Sequence, residues 1–67
     1  MSVARVTELS CTSPDSFEDA IRQGIARASK TLRQVRSAWV KEQRVSVAKD
    51  GSMEFQVNVL VTFVLED

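Results

Sequence analysis

The amino-acid order predicts an α+β fold, β-α-β-β, in which a three-stranded antiparallel sheet of order 1-3-2 packs around one helix. Three observations carry that expectation. Asp50-Gly51 sits between two valine-rich runs, a strong hairpin signal because tight hairpin turns need positive φ. Phe17, Ile21, Gly24 with Ile25, and Ala28 recur at helical spacing. The stretch 3–10 is β-branched and partly alternating, as expected of a first strand.

Residues 11–16 (Cys-Thr-Ser-Pro-Asp-Ser) then read as a connector. Either Ser13 ahead of Pro14, or Ser16 with Asp19 three residues on, supplies the helix N-cap. Asp15, Glu18 and Asp19 crowd the first turns and Arg27 and Lys30 the last, which suits the helix dipole. Gly24 lies inside the apolar stripe, where it lowers helix propensity by about 1 kcal/mol but lets the helix backbone approach the sheet closely. The helix is expected to end near Lys30-Thr31, with Leu32 and Val35 leading into a hairpin that occupies 35–66. Strands one and two, joined through a helix, should run parallel, so a third strand inserted between them makes every neighbour antiparallel.

A two-residue turn would pair Lys49 with Ser52, and counting outward assigns the faces. One face collects Ala38, Val40, Glu42, Arg44 and Ser46 with Phe55, Val57, Val59, Val61 and Phe63, and this row covers the core. The other collects Ser37, Trp39, Gln43, Val45 and Val47 with Gln56, Asn58, Leu60, Thr62 and Val64.

The chain of 67 residues is 43% hydrophobic, enough for one small domain and too much for disorder. A domain of this size buries only about 60% of its unfolded surface and needs further stabilisation. One cysteine excludes a disulfide, and one cysteine without histidine argues against zinc, which leaves self-association. Geometry agrees. A strand of about 14 residues at roughly 3.3 Å each outreaches a helix of about 15 at 1.5 Å each by a factor of two. Trp39, Val45, Val47, Leu60 and Val64 would otherwise form a large exposed apolar patch.

Charge and motif content exclude several classes. Nine basic residues balance nine acidic ones, so no general pull toward nucleic acid or anionic membrane exists. The basic cluster Arg27, Lys30, Arg33, Arg36, Lys41 and Arg44 reads as a helix end and an exposed strand edge, without an RNA-binding aromatic motif. No apolar run is long enough to cross a membrane and no secretory signal is visible, so the cytoplasm is the expected compartment. No histidine, no tyrosine and no nucleophile or phosphate-loop motif is present, so an enzyme is not expected. Glu8, Glu42 and Glu54 read as surface carboxylates, and Cys11, lacking a base, as a structural thiol.

The informative feature is the face that carries Trp39 and Gln56, with Ser37, Gln43, Asn58 and Thr62 nearby. An indole beside amides can stack on a planar heterocycle and hydrogen-bond its polar edge. The same indole can equally plug an interface between subunits, and at this point both roles stand. Arg44 falls on the core row in this register and is left out of the site.

Glu8-Leu9, Thr12-Ser13-Pro14, Ala26-Arg27-Ala28, Lys30-Thr31-Leu32-Arg33, Val40, Glu42, Glu54-Phe55-Gln56-Val57, Phe63, Leu65 and Glu66 together resemble the dodecins over essentially the whole chain. The resemblance implies hollow homododecamers that bind flavins (riboflavin, FMN or FAD) for storage. In that family flavins stack between tryptophans of symmetry-related subunits, and a third-strand glutamine, matched here by Gln56, meets the ring's polar edge. The family's tryptophan lies nineteen residues before that glutamine, which places Ser37 there. Trp39, two residues on, is then the stacking group of a shifted pocket, with Ser37 leaving room or adding a hydrogen bond. Some family members are associated with calcium, and a dodecin-like shell holding another ligand is the alternative. No carboxylate run resembles a calcium loop, so no metal site is expected.

Overall fold

The computed structural model describes residues 3–65. The elements follow in the order β1 (Ala4–Ser13), α1 (Phe17–Thr31), β2 (Val35–Val47) and β3 (Met53–Val64), and the sheet order is β1-β3-β2 with both pairings antiparallel. The expected fold class and strand order are found. The far end of the hairpin stretch, Glu66, lies outside the described residues.

β1 runs three residues further than the sequence suggests. Cys11, Thr12 and Ser13, expected in a connector, continue the ladder opposite Val57, Gln56 and Phe55. Their polar character misleads. Cys11 and Ser13 face the core and are buried, and the Ser13 hydroxyl is satisfied by donating to Asp19 Oδ2 (2.6 Å) while accepting from the Asp15 amide (3.0 Å). Ser16 is the N-cap, with extended backbone and its Oγ accepting from the Asp19 amide at 3.0 Å. The helix ends at Thr31, where the Leu32 amide closes onto Ala28 O at 2.8 Å. Gln34, at φ 55, then swings the chain into β2, a left-handed residue that no local sequence signal announces.

The core lies between α1 and the odd-numbered row of β3. Val57, Val59 and Val61 are fully buried, joined by Cys11 and Ala20, with Leu9, Phe17, Ile21, Val35 and Ala38 packed around them. Phe17 meets Phe55 edge to face, ring centroids 5.1 Å apart. Ala20, outside the expected stripe, is the most buried helical residue and clusters with Cys11 and the β3 valines where the helix approaches the sheet. Gly24 sits at the same close approach. A Cβ there would overlap Cys11 Sγ.

The hairpin departs from the expected register. Ala48 and Ser52 close it (Ala48 amide to Ser52 O, 2.9 Å), so the loop is the three residues Lys49-Asp50-Gly51. Gly51 takes φ 90 after a turn in which its amide donates to Ala48 O at 3.0 Å, the arrangement usual for three-residue loops. Asp50 Oδ1 accepts from the Ser52 amide and hydroxyl (2.9 and 2.7 Å), which holds this carboxyl below its ordinary value. One extra loop residue shifts the pairing by one, so Val45 and Val47 pair with Phe55 and Met53. Two irregularities, between Val40 and Glu42 and between Val35 and Ser37, each absorb one extra β2 residue.

The molecule is 51 Å long, while a 15-residue helix covers roughly 22 Å. The turn end of the hairpin therefore projects beyond its cover. Val47, Met53 and Val45 there are 68%, 50% and 37% exposed.

Two expected outcomes follow from the helix–sheet contact. Gly24→Ala should lower stability by about 1–3 kcal/mol through overpacking, despite alanine's better helix propensity, and Cys11→Ala in the same chain should recover most of the loss, both read from denaturant midpoints. Burial raises the Cys11 thiol above its ordinary 9.0. Folding thus favours the neutral thiol, so its contribution is complete below the unfolded value and is lost as pH rises through the folded one. Stability measured from pH 8 upward should fall more steeply in the parent than in Cys11→Ala, and equal slopes would refute the assignment.

Candidate functional site

Along a strand, alternate side chains share a face, and β3 is the central ruler because both neighbours pair with it. On the face away from α1 it presents Gln56, Asn58, Leu60, Thr62 and Val64. β1 sets Thr12, Ser10, Glu8, Val6 and Ala4 opposite these. β2 sets Arg44 opposite Gln56, Glu42 opposite Asn58, Trp39 opposite Leu60 and Ser37 opposite Thr62.

This face has two halves. Toward the turn, Glu42, Arg44, Gln56 and Asn58 line a shallow polar depression. Arg44 Nε and Nη2 donate to Gln56 Oε1 at 3.3 and 3.1 Å. Gln56 Nε2 donates to Ser10 Oγ at 3.2 Å and to Asn58 Oδ1 at 3.3 Å, and Asn58 Nδ2 donates to Glu42 Oε1 at 3.1 Å. Away from the turn the face is apolar: Trp39 is 49% exposed beside half-buried Leu60, with Val6 also exposed. Lys41, the extra residue of the first bulge, reaches across to Glu8 at 3.1 Å, a contact that is half exposed and contributes little by itself.

The structure thus brings Gln56, Trp39 and Ser37 to one face but does not place them side by side. Trp39 lies opposite a residue four positions along β3 from Gln56, about 13 Å, and Ser37 opposite one six positions away, about 20 Å. Gln43 leaves the group, since it pairs with Val57 on the helix side. Val45 and Val47 leave that face for the same reason. Arg44 and Glu42, assigned to the core row by the two-residue turn, belong to the site instead. The missed signal was Lys49 ahead of Asp50-Gly51, which lets the loop hold three residues with glycine at the left-handed position.

A polar cradle at one end of a sheet face and a half-exposed indole at the other suit a flat ring with a hydrogen-bonding edge. Among the described residues no three His, Cys, Asp or Glu side chains come together in a group that could hold a metal ion, and no helix is long and apolar enough to cross a membrane. Cys11 lies under the helix, on the opposite side of the sheet from this face, with its thiol pushed up by burial, the setting of a packed thiol rather than a nucleophile.

Comparison with known proteins gives one consistent result. The family model described as Dodecin matches residues 3–66. The chain is 42% identical over 65 residues to the dodecin of Thermus thermophilus, spanning 97% of this chain and 94% of that protein. It is 33% identical over 63 residues to the calcium dodecin of Mycobacterium tuberculosis, spanning 94% and 89%. Among solved structures, a tryptophan-to-phenylalanine variant of the T. thermophilus dodecin matches at 40% identity with a TM-score of 0.93, covering 100% of both chains.

Proposed function

The chain belongs to the dodecin family, and from that premise we propose that it binds a flavin (riboflavin, FMN or FAD) within a closed shell of twelve copies, storing the flavin without converting it. The observation that carries the reading is the composition of one sheet face: a half-exposed Trp39 at one end and the amide and guanidinium of Gln56 and Arg44 at the other. An isoalloxazine has an extended aromatic plane and one polar edge, and this face offers a partner for each.

In the proposed site Trp39 stacks on the ring, Gln56 meets its polar edge, and Ser37, exposed and small, leaves space where relatives of this family carry the tryptophan. Within a subunit Trp39 lies nearer to Gln56 than Ser37 does, by one pair along the face. A shifted wall is therefore closer to the polar edge than the usual position would be. Aromatic stacking contributes roughly 1–3 kcal/mol per ring.

Self-association is supported by what a single subunit leaves uncovered. The hairpin outreaches its helix, and Val40, Val45, Val47 and Met53 are all more than one-third exposed on the helix side. A lone chain in water would keep that apolar surface wet. The M. tuberculosis relative carries calcium in its name, but the described residues of this chain gather no carboxylate cluster, so a flavin is preferred. The proposed compartment is the cytoplasm.

Three linked outcomes are expected. Titrating riboflavin with the purified protein should quench its fluorescence at micromolar concentrations. Unchanged fluorescence would reject flavin binding. Trp39→Ala should weaken flavin affinity roughly five- to hundredfold, the factor that the stacking energy implies, and an unaltered affinity would show that Trp39 is not the wall. Light scattering should give a mass near twelve times 7.5 kDa, whereas a single-subunit mass would contradict the shell.

A further inference from the structure

We infer that Arg44 and Glu42 act as positioning residues that fix the direction of the Gln56 amide, so that the site offers its ligand N–H donors and selects a ring edge built of carbonyl oxygens and unprotonated ring nitrogens. The inference deepens the flavin reading and rests on it for the identity of the ring.

The argument starts from what each group can do. A guanidinium only donates and an ionised carboxylate only accepts, whereas an amide has one end of each kind. Gln56 and Asn58 are two amides in series between an Arg and a Glu. Arg44 donates twice to Gln56 Oε1, Gln56 Nε2 donates to Asn58 Oδ1, and Asn58 Nδ2 donates to Glu42 Oε1. Every donor–acceptor sense along this row is set by its two ends. Turning Gln56 over would press its NH2 against the guanidinium, and turning Asn58 over would press its oxygen against the carboxylate. The oxygen and nitrogen of an amide are alike in shape, so orientation has to come from such partners, and here both partners allow one answer.

The consequence for a ligand is specific. Gln56 Oε1 already accepts two hydrogens from Arg44, so it has little left to take from a ring N–H. Gln56 Nε2 points the other way, toward Ser10 Oγ at 3.2 Å, a neutral and exposed partner that a ligand oxygen can replace. The guanidinium brings further N–H groups to the same depression. Donors therefore dominate this end of the face, and an acceptor-rich edge, such as the dione side of an isoalloxazine, is what they read. A ring of equal size whose edge carries only amino groups would meet like against like.

The test replaces Gln56 by Glu, which has the same shape, keeps an oxygen for Arg44 and loses the N–H. Gln56→Glu should bind lumiflavin at least tenfold more weakly than the parent while its melting temperature is kept or raised by the stronger Arg44 contact. Equal or tighter binding would overturn the inference, because it would mean that the oxygen is the recognising atom. Glu42→Gln, which frees the far end of the row to turn either way, should weaken lumiflavin binding several-fold without changing the circular dichroism spectrum, and no effect would remove Glu42 from the positioning role. A ligand-free crystal structure at a resolution that distinguishes amide nitrogen from oxygen decides the orientation even if the parent binds no flavin. Nitrogen facing Ser10 supports the inference, and nitrogen facing Arg44 sinks it, so a failure of the flavin reading and a failure of the amide direction are told apart.

Discussion

A central strand with one fully buried row governs the rest of this structure. Val57, Val59 and Val61 lose all contact with water only because α1 lies over them, and α1 reaches them only because Ala20 and Gly24 present almost no side chain at the closest approach. With that row committed to the core, period-two geometry sends Gln56, Asn58, Leu60 and Thr62 to the opposite face. The site is thus the reverse side of the core. Any change that slips β3 by one residue would exchange the two, so the same packing that holds the subunit together also holds the cradle open.

The helix cover stops well short of the sheet's 51 Å length. A short helix on a long ribbon leaves apolar surface on the helix side near the turn and the indole on the other side. For a chain too small to bury much of its own surface, contacts between copies are the available source of further stability. The uncovered side chains thus lie on both sides of the sheet, with Val45, Val47 and Met53 on the helix side and Trp39 on the face that carries the polar depression.

Most of the fold was legible because it rests on local signals with a physical reading: Asp50-Gly51 for the turn, the spacing of Phe17, Ile21 and Ala28 for the helix, the alternation of valine and phenylalanine in β3 for the core row. The family resemblance was legible from the same stretches. What escaped was the register of β2. The loop holds one residue more than the shortest turn and the bulge at Lys41 adds another, so the pairing is displaced by one residue between turn and bulge, which reverses the faces, and by two beyond Val40, which restores them. Trp39 and Ser37 were therefore placed on the right face, whereas Arg44 and Glu42 were assigned to the wrong one. Bulges depend on how twist and hydrogen bonds are shared between strands, and a single sequence carries little trace of that.

The bulge is also what makes the site possible. Were Lys41 part of a regular strand instead of a bulge, residues 40, 42 and 44 would fall on one face, and the row pairing with Gln56 and Asn58 could not continue into the row pairing with Leu60 without either burying Arg44 or turning Trp39 inward. An unpaired guanidinium under the helix would be far more costly than an irregular strand, and an indole turned inward would find Val59 and Val61 already filling the space beneath α1. One extra residue resolves the conflict by rotating the strand half a period between its two halves. It lets an acceptor-seeking polar end and an aromatic end share a surface, while Ala38 and Val35 still reach the core behind them. The irregularity that hid the cradle from sequence reasoning is thus the device that sets charge and ring on a common side of the sheet.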